Sequence, residues 1–489
     1  MPHAIPVDGK VDLDPETCHR ALQTHDARFD GCLFVAVSST RIYCRPVCRV
    51  KAPKRENCRF YASAALAEAA GYRPCLRCRP ELAPGNAAID AGQRIAHQAA
   101  SLIENGALTD LGMDGIADRV GVTTRHLRRI FQAEFGVTPI RFAQTHRLLL
   151  AKHLLTDTTL PSTVIAFTAG FSSVRRFNAT FQERYRLNPR QLRKSRVDTS
   201  VDALRLDLGY RPPYDWDRLI SFLSARAIGG VEAGDSSVYR RTVQIMQRGC
   251  THTGWIEVCR PDPRRSSMPV FASLSLVPVV AAVLAKVRHL MDLSCSPVPI
   301  GEALGRPPGL RVPGAFDGFE IAVRAILGQQ VSVAAARTLA CRIAMAFGTA
   351  VDTPHEGLCR TFPMAGTIAD LKMEDLAGLG VLPSRARTII ALARMLADGL
   401  VRLEPGVNVA DTTDRLQSIP GIGAWTAQYV AMRALAWPDA FPHTDLGVMK
   451  ALNEKNPRRV LEAGEAWRPW RAYAVMYLWT SENANGSVR

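Results

Sequence analysis

The sequence predicts a multidomain chain with four parts. Residues 1–85 read as a small α+β metal-binding domain and 86–198 as an all-α double helix-turn-helix domain. Residues 203–312 read as an α+β subdomain built on an antiparallel sheet, and 313–489 as an all-α core around a helix-hairpin-helix. Three observations predict this. The length is 489 residues, which at roughly 100–200 residues per domain means three or four domains. Seven of the twelve cysteines fall before residue 80, a clustering that points to a metal site in the N-terminal part rather than to disulfides. The pattern from 88 to 195 and from 316 onward is helical, whereas 204–300 alternates short strand-like runs, at 239–246 and 255–258, with helical ones at 219–227 and 279–290.

Composition excludes several classes. With 47% apolar and 22% charged residues, most of the chain can bury a core, unlike a disordered or disulfide-stapled protein. No run of about 18 apolar residues suggests a membrane span. The longest apolar stretch, 273–284, is short and interrupted by proline, and reads as core. The first ten residues lack the apolar stretch of a secretion signal, so a cytoplasmic protein is expected. The net charge is +16, and residues 1–200 hold 29 basic against 18 acidic side chains. This excess points to a polyanionic partner, nucleic acid first among them.

Pro84-Gly85-Asn86 reads as a linker after the cysteine-rich segment. Within that segment Cys44-Arg-Pro-Val-Cys48 and Cys75-Leu-Arg-Cys78 form two close pairs, able to give four sulfurs to one tetrahedral zinc. Four thiolates on Zn²⁺ carry a net −2. Arg41, Arg45, Arg49, Lys51, Arg73, Arg77 and Arg79 surround them, to offset that charge and hold a phosphate backbone. Spacing alone also describes a purely structural zinc knot. The words Thr40-Arg-Ile-Tyr-Cys-Arg-Pro-Val-Cys48, Arg55-Glu-Asn57 and Ala70-Gly-Tyr-Arg-Pro-Cys-Leu-Arg-Cys78 resemble the N-terminal domain of the Ada family of DNA-methylation-response proteins, over residues 18–82. The resemblance implies that Cys44, besides ligating zinc with Cys48, Cys75 and Cys78, accepts a methyl group from a DNA methylphosphotriester. Each domain would react once, losing one negative charge and binding DNA more tightly.

Two helix-turn-helix patterns follow. In 113–131 a turn at Gly121 leads into a helix carrying Arg125, His126, Arg128 and Arg129. In 164–181 Gly170 occupies the turn, and Ser172 or Ser173 caps a helix with Arg175, Arg176 and Asn178. Either alone also fits an ordinary helical domain with exposed arginines. Together with Phe131-Gln-Ala-Glu-Phe-Gly-Val-Thr-Pro139 and Phe181-Gln-Glu-Arg-Tyr-Arg-Leu-Asn-Pro189 they resemble the AraC-type DNA-binding domain, across 90–195. The resemblance implies promoter DNA and RNA polymerase as partners. Ada proteins continue into an alkylguanine methyltransferase with a Pro-Cys-His-Arg site. Here no such motif follows residue 200, and Cys18-His-Arg20 lacks the proline, so no O6-alkylguanine repair is expected.

The third constellation is a hairpin. Pro420-Gly-Ile-Gly423 joins two helical runs, and Gly421 and Gly423 let backbone amides at a helix start face a phosphate. Asp445 follows 22 residues after Gly423; by itself it also reads as the N-cap of the next helix. Arg211-Pro-Pro-Tyr-Asp-Trp216, Val323-Arg-Ala-Ile-Leu-Gly-Gln-Gln-Val-Ser332 and Trp467-Arg-Pro-Trp-Arg-Ala-Tyr-Ala474 extend the pattern. Residues 205–482 resemble the AlkA-type 3-methyladenine DNA glycosylases. That implies Asp445 as the catalytic carboxylate and Trp425, Tyr429 and Trp479 as aromatics that stack on an electron-poor flipped base. Without the resemblance each aromatic reads as core. Gln329 matches a glutamine of the family. Gln330 takes the position of its void-filling wedge, which is commonly apolar. No lysine near Asp445 suggests strand-cleaving chemistry, so a monofunctional glycosylase is expected. The rival is a transcription regulator whose glycosylase-like half only binds damage, which Gln330 favours and Asp445, Trp425 and Tyr429 oppose.

Overall fold

The structure, a computed structural model, describes residues 15–23, 33–61, 64–80, 91–192 and 203–485, apart from positions 49, 79, 105 and 248. The expected linker at 84–86, Cys32, Arg49 and Arg79 lie outside the described residues. The chain forms two compact units. One holds the residues up to His97 with 125–138, the other 98–124 with 139–489.

The first unit is built on a small sheet of order β3-β1-β2-β4, with β1 (Phe34–Val37), β2 (Ile42–Cys44), β3 (Cys58–Tyr61) and β4 (Arg73–Pro74). Alternation along β1 sends Val35 to one face, with Cys18 and Leu22 of α1 (Pro15–Gln23). It sends Phe34 and Ala36 to the other, with Tyr43, Tyr72 and Ala67 of α2 (Ala64–Ala69). The β2–β4 pair is parallel, and the Cys75 amide donates to the Tyr43 carbonyl at 3.0 Å. That pairing brings the two cysteine pairs together although 26 residues separate them. Helix α3 (Ala91–Glu104) begins in this unit. His97 meets Phe135 and Glu134 of the helix 124–135 across 5.0 and 2.9 Å.

The second unit contains α4 (Ala107–Arg119), after which Gly121 (φ +73°) turns the chain into α5 (Thr124–Phe135) of the first unit. Then come α6 (Pro139–Asp157), α7 (Ser162–Thr168) and α8 (Val174–Tyr185). Gly170 (φ +81°) makes the turn before α8, and Ser173 is its cap, accepting the Arg176 amide at 3.2 Å. The antiparallel sheet has order β5-β9-β8-β7-β6, with β5 (Ala203–Gly209), β6 (Glu232–Gly234), β7 (Val238–Gln247), β8 (Cys250–Cys259) and β9 (Ser267–Ser273). The two strand-like runs of the sequence lie within β7 and β8, the first filling most of β7 and the second in the latter half of β8, and the strands pair over ten residues each. Helix α9 (Trp216–Ser224) starts before the expected 219 because Asp215 caps it, accepting the Arg218 amide at 3.2 Å. Of the apolar stretch 273–284, the first part is a 3-10 turn, Leu274–Val279, and the rest opens α10 (Val280–Leu290).

Helices α6 and α7 pack on β5 and that 3-10 turn, so Leu154, Ile165 and Phe177 share one continuous core with Leu204, Leu206 and Val277. The chain continues through α11 (Pro297–Leu304) into the helical core. This comprises α12 (Gly318–Leu327), α13 (Val333–Phe347), α14 (Ala365–Ala369), α15 (Met373–Ala377), α16 (Pro383–Ala397), α17 (Val409–Gln417), α18 (Ala424–Arg433), α19 (Leu446–Ala451), α20 (Pro457–Gly464) and α21 (Arg471–Asn485). The multidomain class expected from sequence is therefore the observed one. No described helix is long and apolar enough to cross a membrane.

Candidate active site and metal centre

The hairpin between α17 and α18 is fixed by two close approaches. Gly421 adopts φ +95°, and a Cβ there would lie 2.2 Å from Thr388 Oγ1. Thr388 Oγ1 in turn donates to the Pro420 carbonyl at 2.7 Å. Gln329, just past the end of α12, donates from Nε2 to the Gly421 carbonyl and to Thr426 Oγ1, both at 2.9 Å. Gly423 differs from expectation: its backbone is extended (φ −91°, ψ 179°), so it needs no left-handed conformation. It is exposed, a Cβ there would meet nothing, and no side chain caps α18. The first amides of α18 are thus open to an anion.

Beside the hairpin lies a cavity of about 1170 Å³. Asp445 stands in its wall at the N-cap of α19. Its Oδ1 accepts the Val448 amide at 3.0 Å and Trp479 Nε1 at 2.8 Å, and its Oδ2 accepts Trp425 Nε1 at 2.9 Å. The capping role and a place in the site thus coexist. Trp425 and Tyr429, one turn apart on α18, stack at 5.5 Å, and Trp479 of α21 follows at 6.2 Å from Tyr429. Phe222 of α9 continues the row, parallel to Trp479 at 6.0 Å. Arg433 is buried behind Tyr429. Its Nη1 donates to the phenol oxygen at 2.9 Å, and its other donors reach the Pro313 and Gly314 carbonyls. Further down the wall Glu232 and Glu320 pair with Arg241 and Arg324 in a buried network. Burial opposes ionisation of Glu232, but Arg324 and Arg241 outweigh it and hold the carboxyl below the usual carboxylate range.

In the N-terminal unit the Sγ atoms of Cys44, Cys48, Cys75 and Cys78 all lie within 4.8 Å of one another. A tetrahedral zinc with bonds of about 2.3 Å needs sulfurs roughly 3.8 Å apart, so the set fits that ion. Cys48 and Cys78 are fully enclosed, whereas Cys44 and Cys75 keep 7% and 8% exposure. Hydrogen bonding among the thiols, first between Cys44 and Cys48, pushes Cys44 up and Cys48 down. Protons there compete for a place that a divalent cation fills.

Profiles of four known families match the chain. The metal binding domain of Ada covers 17–81, a helix-turn-helix domain 116–195, the AlkA N-terminal domain 205–317, and the HhH-GPD superfamily of base excision DNA repair proteins 323–458. A probable bifunctional transcriptional activator/DNA repair enzyme AlkA of Mycobacterium tuberculosis is 37% identical, with 96% of each chain covered. The chain belongs to this bifunctional AlkA family. DNA-3-methyladenine glycosylase 2 of Escherichia coli is likewise 37% identical, over 56% of this chain and 96% of its own. Among solved structures, the methylated N-Ada/DNA complex is 36% identical, covering 28% of this chain and 98% of its own, with a TM-score of 0.20. A 3-methyladenine DNA glycosylase from Archaeoglobus fulgidus is 22% identical, covering 58% and 99%, with a TM-score of 0.47. This family member joins a DNA-binding transcriptional activator to a DNA glycosylase, and its four-cysteine cluster is a Zn²⁺ site.

The structure gathers Asp445, Trp425, Tyr429, Trp479, Gln329, Gln330, Gly421 and Gly423 around one cavity. Gln329 serves the hairpin rather than presenting a free amide, and Gln330 is exposed with φ +55°. Arg125, Arg128 and Arg129 are exposed on α5, Arg175 and Arg176 on α8, and Arg73 beside the cysteines. Arg45 departs from expectation. It is 1% exposed, with its amide directed to Cys78 Sγ and Nη1 to the Cys78 carbonyl, each at 3.5 Å, so it braces the cysteine loops from inside. Sequence reading missed Phe222, Arg226 and Arg433 as site residues. The signal available was Phe222-x-x-x-Arg226, an aromatic and a cation one helical turn apart.

Proposed function

We propose that Asp445 is the carboxylate that drives release of N-alkylated purines of the 3-methyladenine type, leaving an abasic site. One observation carries this: both Asp445 oxygens are held by indole N–H groups of aromatics that themselves line a nucleotide-sized cavity. A purine alkylated at N3 or N7 is already cationic. As its bond to C1′ breaks, the electron pair goes to the base, which departs neutral, and positive charge moves to the sugar. The fixed carboxylate stabilises that charge, water adds to C1′, and its proton passes to Asp445. Trp425, Tyr429 and Trp479 offer π faces to the flipped base. No lysine lines the cavity among the described residues, which supports hydrolysis without strand cleavage.

At the other end, Cys44 takes a methyl group from a DNA methylphosphotriester. The sulfur attacks the methyl carbon, the carbon–oxygen bond breaks, and the phosphate leaves as a diester anion. Zinc supplies a thiolate that stays deprotonated at neutral pH. The 7% exposure of Cys44, against full enclosure of Cys48 and Cys78, supports its access to DNA. The thioether product lowers the cluster's negative charge and tightens DNA binding. The exposed arginines of α5 and α8 then read promoter DNA, and RNA polymerase is the partner of an activator acting in the cytoplasm. We expect no transfer from O6-alkylguanine. The four parts keep the boundaries 1–85, 86–198, 203–312 and 313–489.

The test is base release from methylated duplex DNA by the purified chain, beside Asp445→Asn. Wild-type release of 3-methyladenine and 7-methylguanine with loss in the variant is the expected result. Equal release by both would remove Asp445 from the mechanism.

A further inference from the structure

One group in the cavity has no task in this chemistry. Arg226 follows α9 and lines the cavity together with Asp445 and Tyr429. Its guanidinium lies over the Phe222 ring at 3.8 Å, and Nη1 donates to the Phe222 carbonyl at 3.3 Å. Among the described residues Nε and Nη2 find no protein acceptor within hydrogen-bonding range. The backbone beneath is pinned, because Arg324 of the buried Glu232–Glu320 network donates to the Arg226 carbonyl at 2.8 Å. Burial lowers its basicity, Tyr429 and Asp445 raise it, and Arg433 opposes them; these are the groups around it. Arg433, the other cation over Phe222, has its donors engaged by Tyr429, Pro313 and Gly314. Of two guanidiniums on one aromatic wall, one is engaged by protein acceptors and one keeps donors for the cavity.

A cationic alkylpurine gains nothing from such a donor. It is repelled by the charge and departs neutral. A base that is neutral in DNA is different: when its glycosidic bond breaks, the electron pair leaves it anionic unless a proton or a cation meets it. We propose that Arg226 is a specificity-determining residue, which donates to the carbonyl or ring-nitrogen edge of a flipped neutral base and stabilises the negative charge of its departure. Asp445 stabilises the sugar in both cases. Arg226 adds stabilisation of the leaving group only where the leaving group lacks a charge of its own.

The inference rests on the glycosylase reading, and its test keeps the two apart. Single-turnover release is measured with the full chain on two duplexes, one carrying 7-methylguanine, which is cationic, and one carrying hypoxanthine, which is neutral. The readout is the ratio of the two rates, for wild type, Arg226→Gln and Arg226→Lys, with thermal unfolding to confirm folding. The hypoxanthine-to-7-methylguanine ratio is expected to fall roughly 10-fold or more in Arg226→Gln, the size of a lost charge-assisted contact to the leaving base, and to recover in large part in Arg226→Lys. A merely structural role for Arg226, or a contact to the nucleotide's phosphate, slows both substrates together and leaves the ratio unchanged, which overturns the proposal. So does a wild type that releases 7-methylguanine but no hypoxanthine. A wild type that releases neither defeats the glycosylase reading itself.

Discussion

In the proposed chemistry the zinc cluster and the aspartate cavity both bring an anion to alkylated DNA, and they are built in opposite ways. The cluster packs four sulfurs into a space where none is more than 8% exposed. The cavity spreads its groups round about 1170 Å³ and holds one carboxylate by two indole N–H bonds. The difference follows from what must enter. On that reading a methyl group on a phosphate needs only an edge of sulfur, and the sulfur that takes it would be used up. A flipped nucleotide needs room, and the carboxylate proposed to act beside it would be regenerated. Enclosure suits a reagent and space suits a catalyst.

The largest expected effect separates the two regions completely. Cys44→Ser abolishes methyl transfer from a labelled methylphosphotriester duplex and leaves base release at the wild-type rate, while Asp445→Asn lowers base release by roughly 10²–10³ and leaves methyl transfer intact. The asparagine keeps an acceptor for the Val448 amide but turns an NH₂ toward an indole N–H. A cross-effect between the two variants would break the comparison. Next, a strong chelator melts the N-terminal unit, because the cysteines bind the ion only when folded together, and base release survives; near-UV circular dichroism beside the glycosylase assay would show it.

Smaller effects test how rigidly the cavity is held. Gly421→Ala places a Cβ 2.2 Å from Thr388 Oγ1 at a left-handed position. It is expected to cost roughly 2–4 kcal/mol in urea unfolding and to weaken binding of undamaged duplex. Asp292 offers a contrast to Asp445. It is buried, accepts Tyr473 Oη at 2.9 Å and the Val312 amide at 3.2 Å, and burial raises its pKa from 3.8 to about 6, against Arg311 and Tyr473. Between those values the folded chain holds a proton that the unfolded chain has lost. The contribution is full below pH 3.8 and disappears as pH rises through about 6. Asp292→Asn should flatten that slope and add up to about 3 kcal/mol near pH 7, read from urea midpoints across pH. The smallest expected change is Trp479→Phe, which removes one of two indole donors while keeping a ring. A loss of about 1 kcal/mol in transition-state stabilisation, read as a several-fold fall in release rate, is the expected size.

What the sequence made legible was local. Cysteine pairs three and four residues apart, a Pro-Gly-x-Gly hairpin, glycine turns before helices and an aspartate ahead of an apolar helix each carry their meaning within a few residues. What it hid depends on the tertiary fold. Arg45 sits among exposed cations in sequence, yet the parallel β2–β4 pairing turns it beneath the second cysteine loop. Gly423 looked like Gly421, but only one of them meets Thr388. Phe222 and Arg226 reach Trp479 and Asp445 from more than 200 residues away, a proximity no spacing encodes.

The core shared by α6, α7, β5 and the turn at 274–279 has a consequence for how the chain patrols DNA. A regulator and a repair enzyme tied by a slack tether would each sample the chromosome alone. Here the second helix-turn-helix and the base cavity grow from one folded body, so they diffuse, dock and depart as one. If α8 holds promoter DNA as proposed, the lesion search is local wherever it lingers, and the promoters this protein switches on become the stretches it inspects first.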